Sequence, residues 1–135
     1  MKRVLLILLT IISFNTYSAT WEGVSEGWEL DTSSIHKSYN GNVKFWVREK
    51  SSQEKISNLK KTLQKVGENK NFSKYSYTLS MYELNCKERK IGLSSVVFYD
   101  KSDEIIFHFD DEFPTMESIV PNTEGENIIQ YVCKK

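Results

Sequence analysis

Few residues of this chain have the types and spacing for covalent or metal chemistry. Cys86 and Cys133 are its two cysteines. An even cysteine count in an exported chain points to a disulfide, and two cysteines allow one pairing. That pairing uses both thiols, so neither remains as a nucleophile or metal ligand. The histidines are His36 and His108. Asp110, Asp111 and Glu112 lie close behind His108, but a metal site would need both histidines gathered with carboxylates. A charged loop at a strand end accounts for the same residues. No serine sits in a nucleophile-elbow motif, and no glycine-rich phosphate loop occurs. The expectation is a protein that is not an enzyme, with no cofactor and no metal.

Association chemistry is better represented. Lys50, Lys55, Lys60, Lys61, Lys65, Lys70 and Lys74 concentrate positive charge in one stretch. Among them Lys55, Lys60, Lys61, Lys65 and Lys70 are candidate partner-binding residues, suited to an acidic protein segment or an acidic, sulfated glycan. The competing explanation is an ordinary solvated helix face above a buried stripe. Trp46, Tyr75 and Tyr77 form a second candidate, an adhesive aromatic sheet face, against which stands plain core packing.

The N-terminus predicts where the chain works. Lys2 and Arg3 precede an apolar run from Val4 to Ile12, and Ser13 to Ala19 is more polar. This is the plan of a secretory signal, cleaved after Ser18 or Ala19. The run is about half of the roughly 20 apolar residues that a bilayer span requires, so no transmembrane span is expected in the mature chain. No cysteine at the cleavage point indicates a lipid anchor. The expected domains are therefore a signal over 1–19 and a single domain over 20–135, in the periplasm, secreted or at the cell surface. The whole chain has 18 basic and 18 acidic residues. Lys2 and Arg3 leave with the signal, so the remainder is slightly acidic, which argues against nucleic-acid binding.

These side chains need a scaffold, and the hydrophobic pattern outlines one. Trp28 to Asp31 reads as a short strand. Val43 to Glu49 alternates, with Val43, Phe45 and Val47 on one face and Lys44, Trp46 and Arg48 on the other. From Ser52 to Val66 the period becomes helical through Ile56, Leu59, Leu63 and Val66, and Gly67 is a natural stop. Phe72 to Cys86, Ile91 to Tyr99 and Ile105 to Phe109 read as strands, the last two forming a hairpin over Asp100 to Asp103. Asp103 suits that turn because aspartate enters left-handed backbone. Asp110 to Pro121 is irregular. Thr123 and Glu126 have capping-box spacing ahead of a short helix carrying Ile128, Ile129, Val132 and an inward Cys133. Consecutive strands with short links plus a terminal helix make an antiparallel α+β domain.

With these elements placed, the chain resembles the surface-adhesin protein E family of Gram-negative bacteria. The resemblance rests on Trp21, Asp31-x-x-Ser34-Ile35, Phe45-Trp46-Val47, Leu84-Asn-Cys86-x-x-Arg89, Tyr99-Asp100, Pro121-Asn-Thr-x-Gly-Glu126 and Val132-Cys133. It implies an antiparallel sheet of about six strands, with a C-terminal helix tethered to one face by the disulfide. It also implies surface exposure and binding of host extracellular-matrix or serum proteins, as a homodimer. The alternative function is a periplasmic inhibitor or immunity-type protein that blocks an enzyme such as a lysozyme; a third is a structural envelope component. Co-purification from the periplasm, against binding to host matrix proteins, separates the first two.

Overall fold

The structure, a computed structural model, describes residues 18–65 and 72–134. Most of the expected signal, the Leu63 side chain, Val66, Gly67 and Lys70 lie outside the described residues. The elements are β1 (Trp21–Ser25), β2 (Trp28–Asp31), β3 (His36–Lys37), β4 (Val43–Lys50), α1 (Gln53–Lys65), β5 (Tyr75–Asn85), β6 (Lys90–Asp100), β7 (Ile105–Asp110), β8 (Glu117–Ser118) and α2 (Glu124–Val132). The main sheet runs β1-β2-β4-β5-β6-β7, with β3 added to β4 and β8 to β6. Every pairing is antiparallel. The expected α+β sheet of about six strands is thus the observed spine. β3 and β8 are two residues each, too short to show a period of two. The stretch expected to be irregular before Pro121 therefore contains a strand.

Both helices lie on one sheet face. Thr78, Ser80, Tyr82 and Leu84 alternate along β5, with Tyr82 opposite Phe45 and Thr78 opposite Phe98. Around Phe45 and Leu84, α2 inserts Ile128, Ile129 and Val132, completing a core with Leu30 and Val47. Around Phe98, α1 contributes Ile56 and Leu59 to a second core holding Phe72 and Tyr75. Thr78 and Ser80 are buried between them although both are polar. Tyr75 belongs to this core rather than to an open aromatic face. A bulge between Tyr75 and Tyr77 turns the two tyrosines to opposite sides of the sheet.

The disulfide joins Cys86, just after β5, to Cys133, one residue beyond α2, with Cα atoms 5.8 Å apart. Cys86 packs against the α2 core, and Cys133, although exposed as a residue, directs its sulfur to Cys86 on the sheet as expected. The capping box does not form. The Thr123 hydroxyl donates to the Val120 carbonyl at 2.7 Å, and Arg89 Nη2 lies 2.5 Å from Glu126 Oε2. A guanidinium attracts the carboxylate more strongly than a neutral amide does, so Glu126 ties the start of α2 to the β5–β6 turn.

Candidate binding surface

Three stretches of the described surface carry candidate binding chemistry. The first is the outer side of α1. Ser52 caps this helix, its hydroxyl accepting from the Lys55 amide at 3.2 Å. Because Ile56 and Leu59 face the Phe72 and Phe98 core, helical geometry turns Lys60, Lys61 and Lys65 to solvent, where all three are exposed. Glu54, in the first turn, is the one acidic residue of α1. Lys55 differs from the other lysines. It is half-buried, ion-paired with Glu49, and holds its Nζ 5.6 Å from the Trp28 ring centre. Burial pulls its pKa below the ordinary lysine value, with Glu124 acting in the opposite sense. Lys55 therefore fastens α1 to the sheet, and the solvated cationic patch begins at Lys60.

The second stretch is the sheet face opposite the helices. Trp46, Tyr77, Leu79, Met81 and Tyr99 are half-buried there. Tyr77 and Tyr99 stack with ring centres 4.9 Å apart and planes 11° from parallel. The Tyr77 hydroxyl donates to Asp103 at 2.9 Å, and its pKa is pushed up to about 12 by burial and by that carboxylate. The Arg48 guanidinium lies 4.5 Å from the Trp21 ring centre and pairs with Glu29 at 2.9 Å. Of the proposed aromatic face, Trp46 and Tyr77 are thus where expected, and Tyr99 joins them.

One end of this face is closed by loops. Gly92 lies opposite Glu83, and a Cβ on Gly92 would stand 2.8 Å from Met116 Sδ and 3.0 Å from the Thr115 carbonyl. The chain between β7 and β8 therefore crosses directly over it. Beside this crossing, Glu83 is only 4% exposed. Its Oε1 accepts from Asn40 Nδ2 at 2.7 Å and Asn42 Nδ2 at 2.6 Å, and Lys44 Nζ stands 3.5 Å from Oε2. Burial alone would raise the Glu83 pKa, but the two amides and the lysine together bring it below the ordinary glutamate value. The local sequence gives no sign of this clamp, because its partners lie 41 and 43 positions away.

The third stretch is the free edge of β7. Ile105 and Phe109 are 60% and 48% exposed there, and His108 Nε2 lies 2.7 Å from Asp110 Oδ2. Among the described residues, no three of His, Cys, Asp and Glu come together in a metal-binding arrangement.

Comparison with known proteins agrees with this architecture. The profile described as surface-adhesin protein E matches residues 19–134. Three solved structures of Haemophilus influenzae protein E superpose on the chain. Its selenomethionine form gives a TM-score of 0.55 at 14% identity, covering 84% of this chain and 85% of the other. Its second crystal form gives 0.53 at 15% identity, covering 80% of each. The non-typeable H. influenzae protein gives 0.55 at 14% identity, covering 84% of this chain and 75% of its own. No curated protein sequence matches.

Proposed function

The chain belongs to the surface-adhesin protein E family, and from this premise we propose that it is a non-catalytic, exported binding protein that attaches to host extracellular-matrix or serum proteins. The disulfide and the family both fit an exported protein. The proposed signal over 1–19 would deliver it, leaving the domain over 20–135. The observation that carries the reading is the solvent-facing row Lys60, Lys61 and Lys65 on a helix whose other side is fixed in the core. These lysines attract an acidic protein segment or sulfated glycan, and Lys70 extends the row in the sequence. Such attraction raises association rates and falls as salt screens it beyond about 8 Å at physiological ionic strength.

The test is surface plasmon resonance on immobilised heparin and on an acidic host matrix protein. The triple variant Lys60→Gln, Lys61→Gln, Lys65→Gln should weaken binding at least tenfold and flatten its salt dependence. Its melting temperature should stay within a few degrees, because none of the three side chains enters the core. Wild-type affinity and salt slope in a folded triple variant would return α1 to the status of a solvated helix face.

A further inference from the structure

We propose that the outer edge of β7 is a strand-addition site for an extended segment of a partner protein, one with an apolar centre flanked by lysine or arginine. β7 is the terminal strand of the sheet. Among the described residues no other segment pairs with its outer side. An edge strand presents unpaired amide and carbonyl groups, and proteins normally blunt such edges with lysine, proline, bulges or covering elements. At the opposite edge β1 follows this rule. It carries a bulge between Gly23 and Ser25, and Tyr131 of α2 reaches over to hydrogen-bond Glu22.

β7 is protected far less. It contains neither lysine nor proline. Its one irregularity is at Ile106, which the register with β6 skips near the start of the strand. From Phe107 onward the ladder is regular, and it continues through the Asp111 amide donating to the Ser94 carbonyl at 2.8 Å. That regular stretch spans roughly 17 Å at about 3.4 Å per residue, long enough to template a short strand. The exposed Ile105 and Phe109 side chains supply apolar contacts beside the free backbone groups.

Charge decides the occupant. Asp103 and Glu104 precede the strand, and Asp110, Asp111 and Glu112 end it. A second copy pairing along this edge, in either direction, would bring these carboxylates together, and like charges opposed across a ladder are destabilising. A partner strand with basic residues at both ends meets acidic groups at both ends. Main-chain hydrogen bonds would supply affinity and the flanking charges selectivity, as in other strand-addition complexes. This site stands independently of α1, because it selects the opposite charge.

The probe is a nine-residue peptide of alternating valine and threonine with two lysines at each end. Controls carry glutamates at the ends, or a central proline with the lysines kept. Nuclear magnetic resonance titration of the full domain should place the largest amide shifts within residues 105–111, and hydrogen exchange of outward β7 amides should slow at least tenfold. The Lys60→Gln, Lys61→Gln, Lys65→Gln variant should bind this peptide at least as well as wild type. Glu104→Lys, Asp110→Lys, Glu112→Lys should weaken the lysine-ended peptide at least tenfold and favour the glutamate-ended one. That variant keeps Asp100 and Asp111, whose carboxylates accept turn amides. Binding of the proline peptide within twofold of the parent, or unslowed exchange at β7, would overturn strand addition in favour of simple charge attraction. Absence of saturable binding by the lysine-ended peptide would overturn the proposal as well. If the triple charge variant fails to fold, the proline comparison on wild type decides.

Discussion

Cutting the Cys86–Cys133 bond should cost this domain a large part of its stability, and the structure supplies the reason. The bond closes a separation of 47 residues. Loop-closure entropy for that length corresponds to about 4 kcal/mol at room temperature, drawn chiefly from the unfolded state. Near the end of α2 a non-covalent polar tether is the Tyr131 hydroxyl donating to Glu22 of β1, an exposed side-chain hydrogen bond worth about 1 kcal/mol. The helix has nine residues, well below the length at which an isolated helix persists in water. At the start of α2, Arg89 pairs with Glu126 through an arginine side chain 52% exposed, and such a surface pair contributes about 0–1 kcal/mol. Small domains have total stabilities of about 5–15 kcal/mol. With a urea dependence of roughly 1.5 kcal/mol per molar for a chain of this size, the midpoint should fall by between 2 and 3 M, roughly the quotient of the two figures. The assay is urea unfolding followed by circular dichroism on the oxidised protein, the dithiothreitol-reduced protein and the Cys86→Ala, Cys133→Ala variant. Comparing the reduced protein with the alanine variant separates cross-link loss from side-chain loss. A midpoint shift below about 0.5 M in both would refute the reasoning, since Ile128, Ile129 and Val132 would then hold α2 in place without a covalent tether.

Two further outcomes follow from the closed end of the sheet. Gly92→Ala should destabilise by about 1–3 kcal/mol, because the new methyl meets the Thr115 carbonyl, a backbone atom that cannot rotate away; a melting temperature equal to wild type would place the crossing segment elsewhere. Glu83→Gln should lower stability at neutral pH by about 1–3 kcal/mol. Because the folded pKa of Glu83 lies below its ordinary value of 4.5, the stabilisation is complete above that value and is lost as pH falls through the folded pKa. The gap in melting temperature between wild type and variant should therefore be constant near pH 7 and narrow below about pH 4; a gap independent of pH down to 3 would count against an ionised clamp.

Strand periodicity was readable wherever one face is buried and the strand is long. β4 shows this, since Phe45 and Val47 enter the core while Lys44, Trp46 and Arg48 do not. β5 was readable as a strand but not as a surface. Its helix-facing side carries Thr78 and Ser80, and its open side carries Tyr77, Leu79 and Met81, so hydrophobicity alone assigns its faces wrongly. What buries Thr78 and Ser80 is the pair of helices brought above them from distant parts of the chain. The same limit applies to Lys55. Its spacing places it with the other α1 lysines, yet Glu49 and Trp28 hold it against the sheet. Spacing reports which side of a helix a residue occupies, not which neighbour waits there. Asp103 is the opposite case. Its turn required left-handed backbone, and it adopts φ of 60°, because that demand is local to the residue.

Several of the residues that carry the family resemblance are joints of the scaffold, while Trp46 and Tyr99 lie on its open face. The buried Asp31 carboxylate accepts from the Thr20 amide at 2.9 Å and the Ser33 amide at 3.0 Å, while the Ser34 hydroxyl accepts from the Trp46 amide at 2.9 Å. Asp100 accepts from the Ser102 and Glu104 amides at 2.7 and 3.0 Å, closing the β6–β7 hairpin. Arg89 and Glu126 join two motifs that lie 37 positions apart, and the disulfide joins a third pair. Each of these contacts fixes where a chain segment goes, and none lies on the exposed α1 lysines or the outer edge of β7. Family membership therefore constrains this domain's architecture more tightly than its choice of ligand. Exposed lysines and an uncovered strand edge carry little packing demand, so they can change while every joint stays intact. Selectivity among relatives that share this scaffold should follow the charge of α1 and of the residues bracketing β7, and exchanging those two segments between relatives should move binding preference with them.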